Sequence, residues 1–393
     1  MQPKHKRRLP NMSEFKTTTD YSLVSIILPK LTGEPVVESL SKNGARHIIQ
    51  STSRGSMLNE GGGFLSKMFP PPAPEQELFQ LLVPSAKLGD VMQGAVDAGY
   101  LNRAGSGAIF AMPCKGEIHH TDAFPILSAN GDGGVAMGDT LAADMEAIIC
   151  IVELGTADEM ASAALKAGTS GPTITFGEGG GVRDKIRLLR LTKGPEKEIV
   201  IAVVEKGEAD KVFAEMARAA KITEPGKGFM YTTPVNRGLI NISSSFSAGG
   251  AGASLDQIVS TIDELKGGKD WRSNVPAAGN DKSKGGGKTP LLTDLTELVG
   301  LFCLVHRDHY PAIYDAILHA GASGVSVVFG TLRDPNASPE AANEEWASVQ
   351  TSVAPSQLEK VRNAIQDTIK RDGIESACLF SHSINKAATY IPS

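Results

Sequence analysis

The sequence lacks several features that would assign a class at once. It contains no apolar run of about 18 residues, the length a helix needs to cross a bilayer, so no membrane-spanning helix is expected. Positive charge is not in excess: Lys and Arg number 39 against 44 Asp and Glu, for a net charge of −5 and a pI near 6.0. Phosphate backbones are held by clustered Lys and Arg on one face, so nucleic-acid binding is not expected either. The one basic run, Lys4-His5-Lys6-Arg7-Arg8, precedes Met12 with no apolar segment behind it, which reads as a solvated tail and not as a signal peptide. Aromatic residues are scarce at 5%. Cysteine is sparse too. Cys114, Cys150, Cys303 and Cys378 fall singly in apolar surroundings with no Cys-x-x-Cys spacing, which excludes a cysteine metal cage and reads as buried, reduced thiols in a cytoplasmic protein.

What the chain does have is length, turns and self-similarity. At 393 residues it is too long for one typical core, and its 42 glycines and 22 prolines imply long turns and linkers. Three apolar runs open comparable stretches: YSLVSIIL (21–28), EAIICIV (146–152) and LVGLFCLV (298–305). Each leads into a helical pattern that ends in glycine, at Gly44, Gly168 and Gly321, where a left-handed helix cap costs that residue nothing. The next strands nearly coincide in the later two stretches, AGTSGPTITFG (167–177) beside AGASGVSVVFG (320–330), and are looser at NGARHIIQSTSRG (43–55). A further strand returns as ELFQLLV (77–83), EIVIAVV (198–204) and EWASVQTSV (345–353), after long loops at 56–76, 178–196 and 331–344. A second helix and a closing strand follow, the strands being AIFAMPC (108–114), GFMYTTPV (228–235) and ACLFSHSI (377–384).

This order predicts an α+β fold of three tandem ferredoxin-like βαββαβ domains, each an antiparallel sheet with both helices on one face. The bare sheet faces would cover one another about a pseudo-threefold axis, giving a single-chain pseudo-trimer. The expected layout is a basic or polar tail (1–19), domains at 20–118, 145–242 and 296–393, and linkers at 119–144 and 243–295. The second linker is Gly/Ser-rich around a short helical pattern at 255–266. Segments 56–76 and 267–290 are expected to be the most mobile.

Particular residues carry a family resemblance. GEGGGVRDKI (177–186), then PEKEIVIAVV (195–204) and ITEPGKGFMYTTPV (222–235), resemble the loop base, third strand and nucleotide-binding loop of the PII nitrogen-regulator family, in that order. SRGS (53–56), PEQELFQLLV (74–83) and LNRAGSGAIFAMPC (101–114) fall at matching places, whereas the third stretch reads RDGIESACLF (371–380) and has no glycine-rich turn. The resemblance implies PII-like signal transduction in nitrogen regulation: trimers that bind ATP or ADP in clefts between subunits and dock on transporters or enzymes through a long loop. Carried onto this chain, it makes Gly105, Ser106 and Gly107 one phosphate-cradling turn and Gly226, Lys227 and Gly228 another, with Gly177, Gly179 and Arg183 at the loop base. Ala108 and Phe229 stand where the family often has a lysine, so fewer than three working nucleotide sites are expected. The alternative reading is that these glycines only turn a helix into a strand.

Other constellations point elsewhere. KSKGGGKTP (282–290) lacks the first glycine of a P-loop, with Lys282 in its place, and reads as linker. His306-Arg307-Asp308 lacks the downstream asparagine of a kinase catalytic loop. His306, Asp308 and His309 at one strand end, and His119, His120 and Asp122 after another, are candidate metal ligands if they converge, or ordinary surface residues. The first long loop carries Phe64, Leu65, Met68 and Phe69, suited either to a protein or transporter partner or to a groove of the chain itself. Two functions follow. One is a regulator that binds an adenine nucleotide or another small anion in its interdomain clefts; the other is an enzyme, such as a metal-dependent hydrolase, with one specialised cleft on the fused scaffold.

Overall fold

The computed structural model describes residues 16–45, 47–58, 74–119, 141–181, 196–242, 245–246, 295, 297–334 and 344–391. Within them the chain is a mixed α/β structure with six α-helices and a 14-stranded sheet whose pairings are antiparallel. The first segment runs β1 (Lys16–Pro29), α1 (Glu34–Lys42), β2 (Ile48–Arg54), β3 (Met57–Leu58), β4 (Glu75–Pro84), α2 (Leu88–Gly99) and β5 (Gly107–His119). The second runs β6 (Met145–Glu153), α3 (Ala157–Ala167), β7 (Thr173–Gly181), β8 (Glu196–Glu205), α4 (Ala209–Ala219) and β9 (Gly228–Val235), followed by β10 (Arg237–Asn241) and β11 (Ser245–Phe246). The third runs β12 (Leu298–His306), α5 (Tyr310–His319), β13 (Gly324–Arg333), β14 (Glu345–Val353), α6 (Pro355–Arg371), β15 (Ala377–Ile384) and β16 (Lys386–Thr389). The strand orders are β5-β1-β4-β2, β9-β6-β8-β7 and β15-β12-β14-β13, the same fourth-first-third-second arrangement each time.

Local chemistry explains the elements. The first helix of each segment buries one apolar stripe, such as Val36, Val37 and Leu40 in α1 or Met160, Ala161, Ala164 and Leu165 in α3. The glycines that close those helices have φ of 89° at Gly44, 106° at Gly168 and 104° at Gly321, a backbone region that L side chains resist. Helix stripes and one sheet face then form a separate core in each segment, with Phe79 and Met92 in the first, Phe213 and Met216 in the second, and Ile313 and Ile365 in the third. All four cysteines are free and buried, and burial alone pushes the Cys303 thiol up to about 12.

Strand pairing also joins the segments. The three second strands pair with one another: β2 with β7 (Ser53 to Thr175), β7 with β13 (Gly177 to Val328), and β13 with β2 (Arg333 to Ile48). A second exchange runs in a cycle. β10 of the second segment pairs with β5 of the first, β16 of the third pairs with β9 of the second, and the end of β5, Lys115–His119, pairs with β15 of the third. These short pairing strands have no counterpart in the sequence reading, because five residues such as RGLIN carry no period of their own and their partners lie in another segment. Two expected boundaries also move. The stretches at 178–181 and 331–333, read as loop, continue β7 and β13, because the glycine tail of β7 lets the two backbones meet. Of the expected tail at 1–19, residues 16–19 belong to β1, while 1–15, the stretch 255–266, most of 56–76 and all of 267–290 lie outside the described residues.

One buried carboxylate marks each junction between segments. Glu198 on β8 accepts from the amides of Gly155 (2.8 Å) and Ala157 (3.0 Å) at the start of α3 and from Arg54 of the first segment (3.1 Å). Glu117 on β5 is held by Arg362 and Gln366 of α6. Glu146 on β6 accepts from Asn385 of the third segment and, at 3.4 Å, from the Thr232 hydroxyl. The first two pairs are charge-assisted, and a buried carboxylate left without its partner is costly. Gly177 tests the ring most directly, since a Cβ there would run into the Val327 carbonyl oxygen. Gly177→Ala should force β7 and β13 apart and destabilise the chain by about 1–3 kcal/mol. Urea unfolding reads this, and an unchanged midpoint would show that the β7–β13 pairing yields freely.

Candidate functional site

The sheet faces turned away from the helices meet at the centre. The first segment packs tightly on both neighbours. Ile27, Leu78 and Phe110 share a cluster with Ile149, Ile201 and Tyr231, and Tyr21 and Cys114 share another with Phe302 and Phe380. Where the three inward faces do not close on one another they leave a cavity of about 1250 Å³ lined by all three segments, with Leu23, Leu78 and Met112 from the first. Its inner walls include Ile151, Phe229 and Tyr231 from one side and Leu298, Phe302 and His382 from the other. Its lining also carries Gly179, Lys197, Gly226 and Gly228 of the second segment and Tyr310 and Tyr314 of α5.

The residues singled out in the sequence are therefore brought together unevenly. Gly179, Gly226 and Gly228 share one cavity, and Gly177 lies on the same strand as Gly179, pressed against β13. Lys227 sits between the two turn glycines with its Nζ 4.0 Å from Glu153, and its own amide donates to Glu224 (3.3 Å). Gly105, Ser106 and Gly107 are elsewhere, and their turn is already satisfied. Gly105 N–H donates to Asn241 of β10 (2.7 Å), and Ser106 gives both its amide (3.2 Å) and its hydroxyl (2.6 Å) to the Arg103 carbonyl. Gly107 and Gly228 also have a purely steric duty, since a Cβ on either would strike the carbonyl oxygen of Ile27 or Ile151 on the neighbouring first strand. In the third segment the matching turn holds an Arg371–Asp372 ion pair (2.8 Å), whose hydrogen bond draws the Asp372 carboxyl below its ordinary value.

Of the metal candidates, His306 has its Nδ1 3.6 Å from the Asp308 carboxylate. His306 Nδ1 accepts from the Asp308 amide (3.3 Å), and its ring centre is 6.2 Å from that of His309. His119 ends β5, its backbone opposite Ala377, while His120, Asp122 and Arg183 lie outside the described residues, as do the partner-loop residues Phe64, Leu65, Met68 and Phe69. Among the described residues no three His, Cys, Asp or Glu side chains gather in a metal-binding group.

Among the described residues the charged side chains lining the cavity are Glu178, Lys197 and Asp315. Tyr310 donates to Glu178 at 3.4 Å, and burial followed by that carboxylate raises its hydroxyl above the ordinary value. His382 is the cavity residue that sequence reading missed, and nothing in its ACLFSHSI context marks it. It shares a 3.2 Å hydrogen bond with Thr233 of the second segment, lies beside the rings of Tyr231 and Phe302, and sits over Gly300, where a Cβ would collide with its Nε2. The cross-segment strands did leave a faint signal, the likeness of VNRG (235–238) to INKA (384–387).

No family model matches the chain, and no curated protein does. Among solved structures it is similar to PII from Arabidopsis thaliana bound to citrate, at 24% identity over 24% of this chain and 79% of that one, with a TM-score of 0.20. It is also similar to aspartate kinase from Synechocystis, at 9% identity, covering 94% of this chain but 44% of that one, with a TM-score of 0.22. A microcompartments protein from Desulfitobacterium hafniense DCB gives 14% identity over 55% of this chain and 94% of that one, with a TM-score of 0.17. No helix among the described residues is long and apolar enough to cross a membrane.

Burial holds the His382 imidazole down to about 4, opposed by its backbone hydrogen bond to Ser383. A histidine kept neutral in the fold but free to protonate when unfolded stabilises the fold fully above about 6.5, and that stability is lost as pH falls toward 4. Between those limits the loss should approach about 3 kcal/mol, and His382→Gln should flatten that part of the curve. Chemical unfolding at a series of pH values checks it, and equal slopes in the two proteins would refute it.

Proposed function

We propose that this chain is a PII-like ligand-binding regulator built as a single-chain pseudo-trimer, with its ligand site in the cleft between the second and third segments. The observation that carries this reading is the placing of Gly179, Gly226 and Gly228 on one cavity, while the matching turn of the first segment is closed by β10. The common strand order, the ring of second strands and the cyclic exchange support the pseudo-trimer, because each segment treats its neighbour as subunits do in a closed heterologous ring. The ligand is a small anion, with an adenine nucleotide as the first to test. Glycine backbones admit phosphate oxygens closely, Lys227 and Lys197 supply positive charge, and hydrogen bonds to charged groups contribute about twice what neutral ones do. Regulation follows if the ligand favours one arrangement of the long loops over another, since only unequal affinity shifts such a balance.

Isothermal titration with ATP and ADP is expected to give one site per chain. Lys227→Ala should weaken binding roughly tenfold, about 1.4 kcal/mol, and Arg103→Ala at the closed first turn should leave it unchanged. Equal affinity in wild type and Lys227→Ala, or a larger loss in Arg103→Ala, would place the anion elsewhere.

A further inference from the structure

We infer that the chamber between the inward sheet faces is a second binding site, for an uncharged and predominantly apolar small molecule. This does not rest on the anion reading. Among the described residues the cavity's charged side chains number three, Glu178, Lys197 and Asp315. Its other walls include Ile149, Ile151, Phe229, Phe302 and Val328. Burying an ionised group against such walls costs heavily, whereas apolar surface gains by leaving water. At about 1250 Å³ the chamber has room for a molecule of the size that ordinary pockets of ~300–1,000 Å³ take.

The placing of His382 on the chamber wall has a built cause. At one register position on the inward face, the first strand and the fourth strand present Leu23 opposite Met112 in the first segment and Ala147 opposite Thr233 in the second. The third segment has Gly300 opposite His382. The first-strand residue thus shrinks from leucine through alanine to glycine. The space over Gly300 is taken by the imidazole, which Thr233 holds at Nδ1. Burial keeps that ring neutral, so it offers a hydrogen bond without a charge. Further neutral polar groups stand on the wall, among them Gln80, Thr175, Gln350 and Thr351. An aromatic or acyl compound with one hydroxyl, carbonyl or amine matches this pattern.

The test is fluorescence titration of the full chain with N-phenyl-1-naphthylamine, a neutral probe that brightens in apolar surroundings. Saturable uptake of one probe per chain is expected. Ile151→Trp and Val328→Trp, each filling the chamber from a different segment, should weaken it at least tenfold while cooperative urea unfolding persists. Lys227→Ala should leave it within twofold, which separates this site from the anion site whatever becomes of the latter. A co-crystal with 4-bromobiphenyl supplies a readout independent of any variant, since the bromine should lie between Ile151 and Phe302. No saturable uptake, uptake indifferent to both tryptophans, or bromine located elsewhere would each overturn the proposal.

Discussion

Everything in this molecule hangs on strand pairing between segments that are far apart in the chain. β2, β7 and β13 each hydrogen-bond to the other two, and the short strands after each fourth strand are handed to a neighbour in rotation. Backbone donors and acceptors left unpaired inside such a structure would be costly, so the pairings fix which segment sits beside which. The side chains follow. Second-strand residues reach the start of the next segment's first helix in the opposite sense of rotation, Arg54 to Asp158 (2.5 Å), Glu178 to Tyr310 (3.4 Å) and Arg333 to Glu34 (2.6 Å). The contact is kept while its chemistry changes from one segment to the next.

That divergence explains why the centre is not equally filled. The first segment presents bulky apolar residues to both neighbours, and Leu23, Leu78 and Met112 among them also face the central cavity. Charge follows the same gradient. The buried carboxylates at the two junctions of the first segment are met by arginine, while Glu146, at the junction of the second and third, is met by an amide and a hydroxyl. A homotrimer repeats any such difference three times; a single chain can confine it to one interface.

Much of the architecture was legible because it rests on period and punctuation. The runs GFMYTTPV, EWASVQTSV and ACLFSHSI became strands over the same residues, and Gly44, Gly168 and Gly321 took the left-handed backbone that helix endings favour. What stayed hidden was whatever depends on a partner elsewhere in the chain. The glycine tail of β7 looks like a loop until β13 is set beside it, and β10 and β16 are too short to declare themselves. The site divided in the same way. Glycine spacing pointed to Gly226 and Gly228, but only the third dimension shows that they line the cavity while the Gly105 amide is bonded to Asn241, or that an unremarked histidine faces the cavity.

The rotation of the short strands has a consequence for how the chain is made. β9 is complete once residue 235 has been synthesised, yet the strand that covers it, β16, begins at residue 386. The end of β5 waits in the same way for β15, more than two hundred residues later. At ribosomal rates of roughly 5–20 residues per second, the growing chain carries unpaired sheet edges for something like ten seconds to half a minute. Open edges are templates for pairing with other chains. This protein therefore meets its greatest danger of aggregation on the ribosome, and slowing its synthesis should harm its yield more than it would harm a protein whose domains close one at a time.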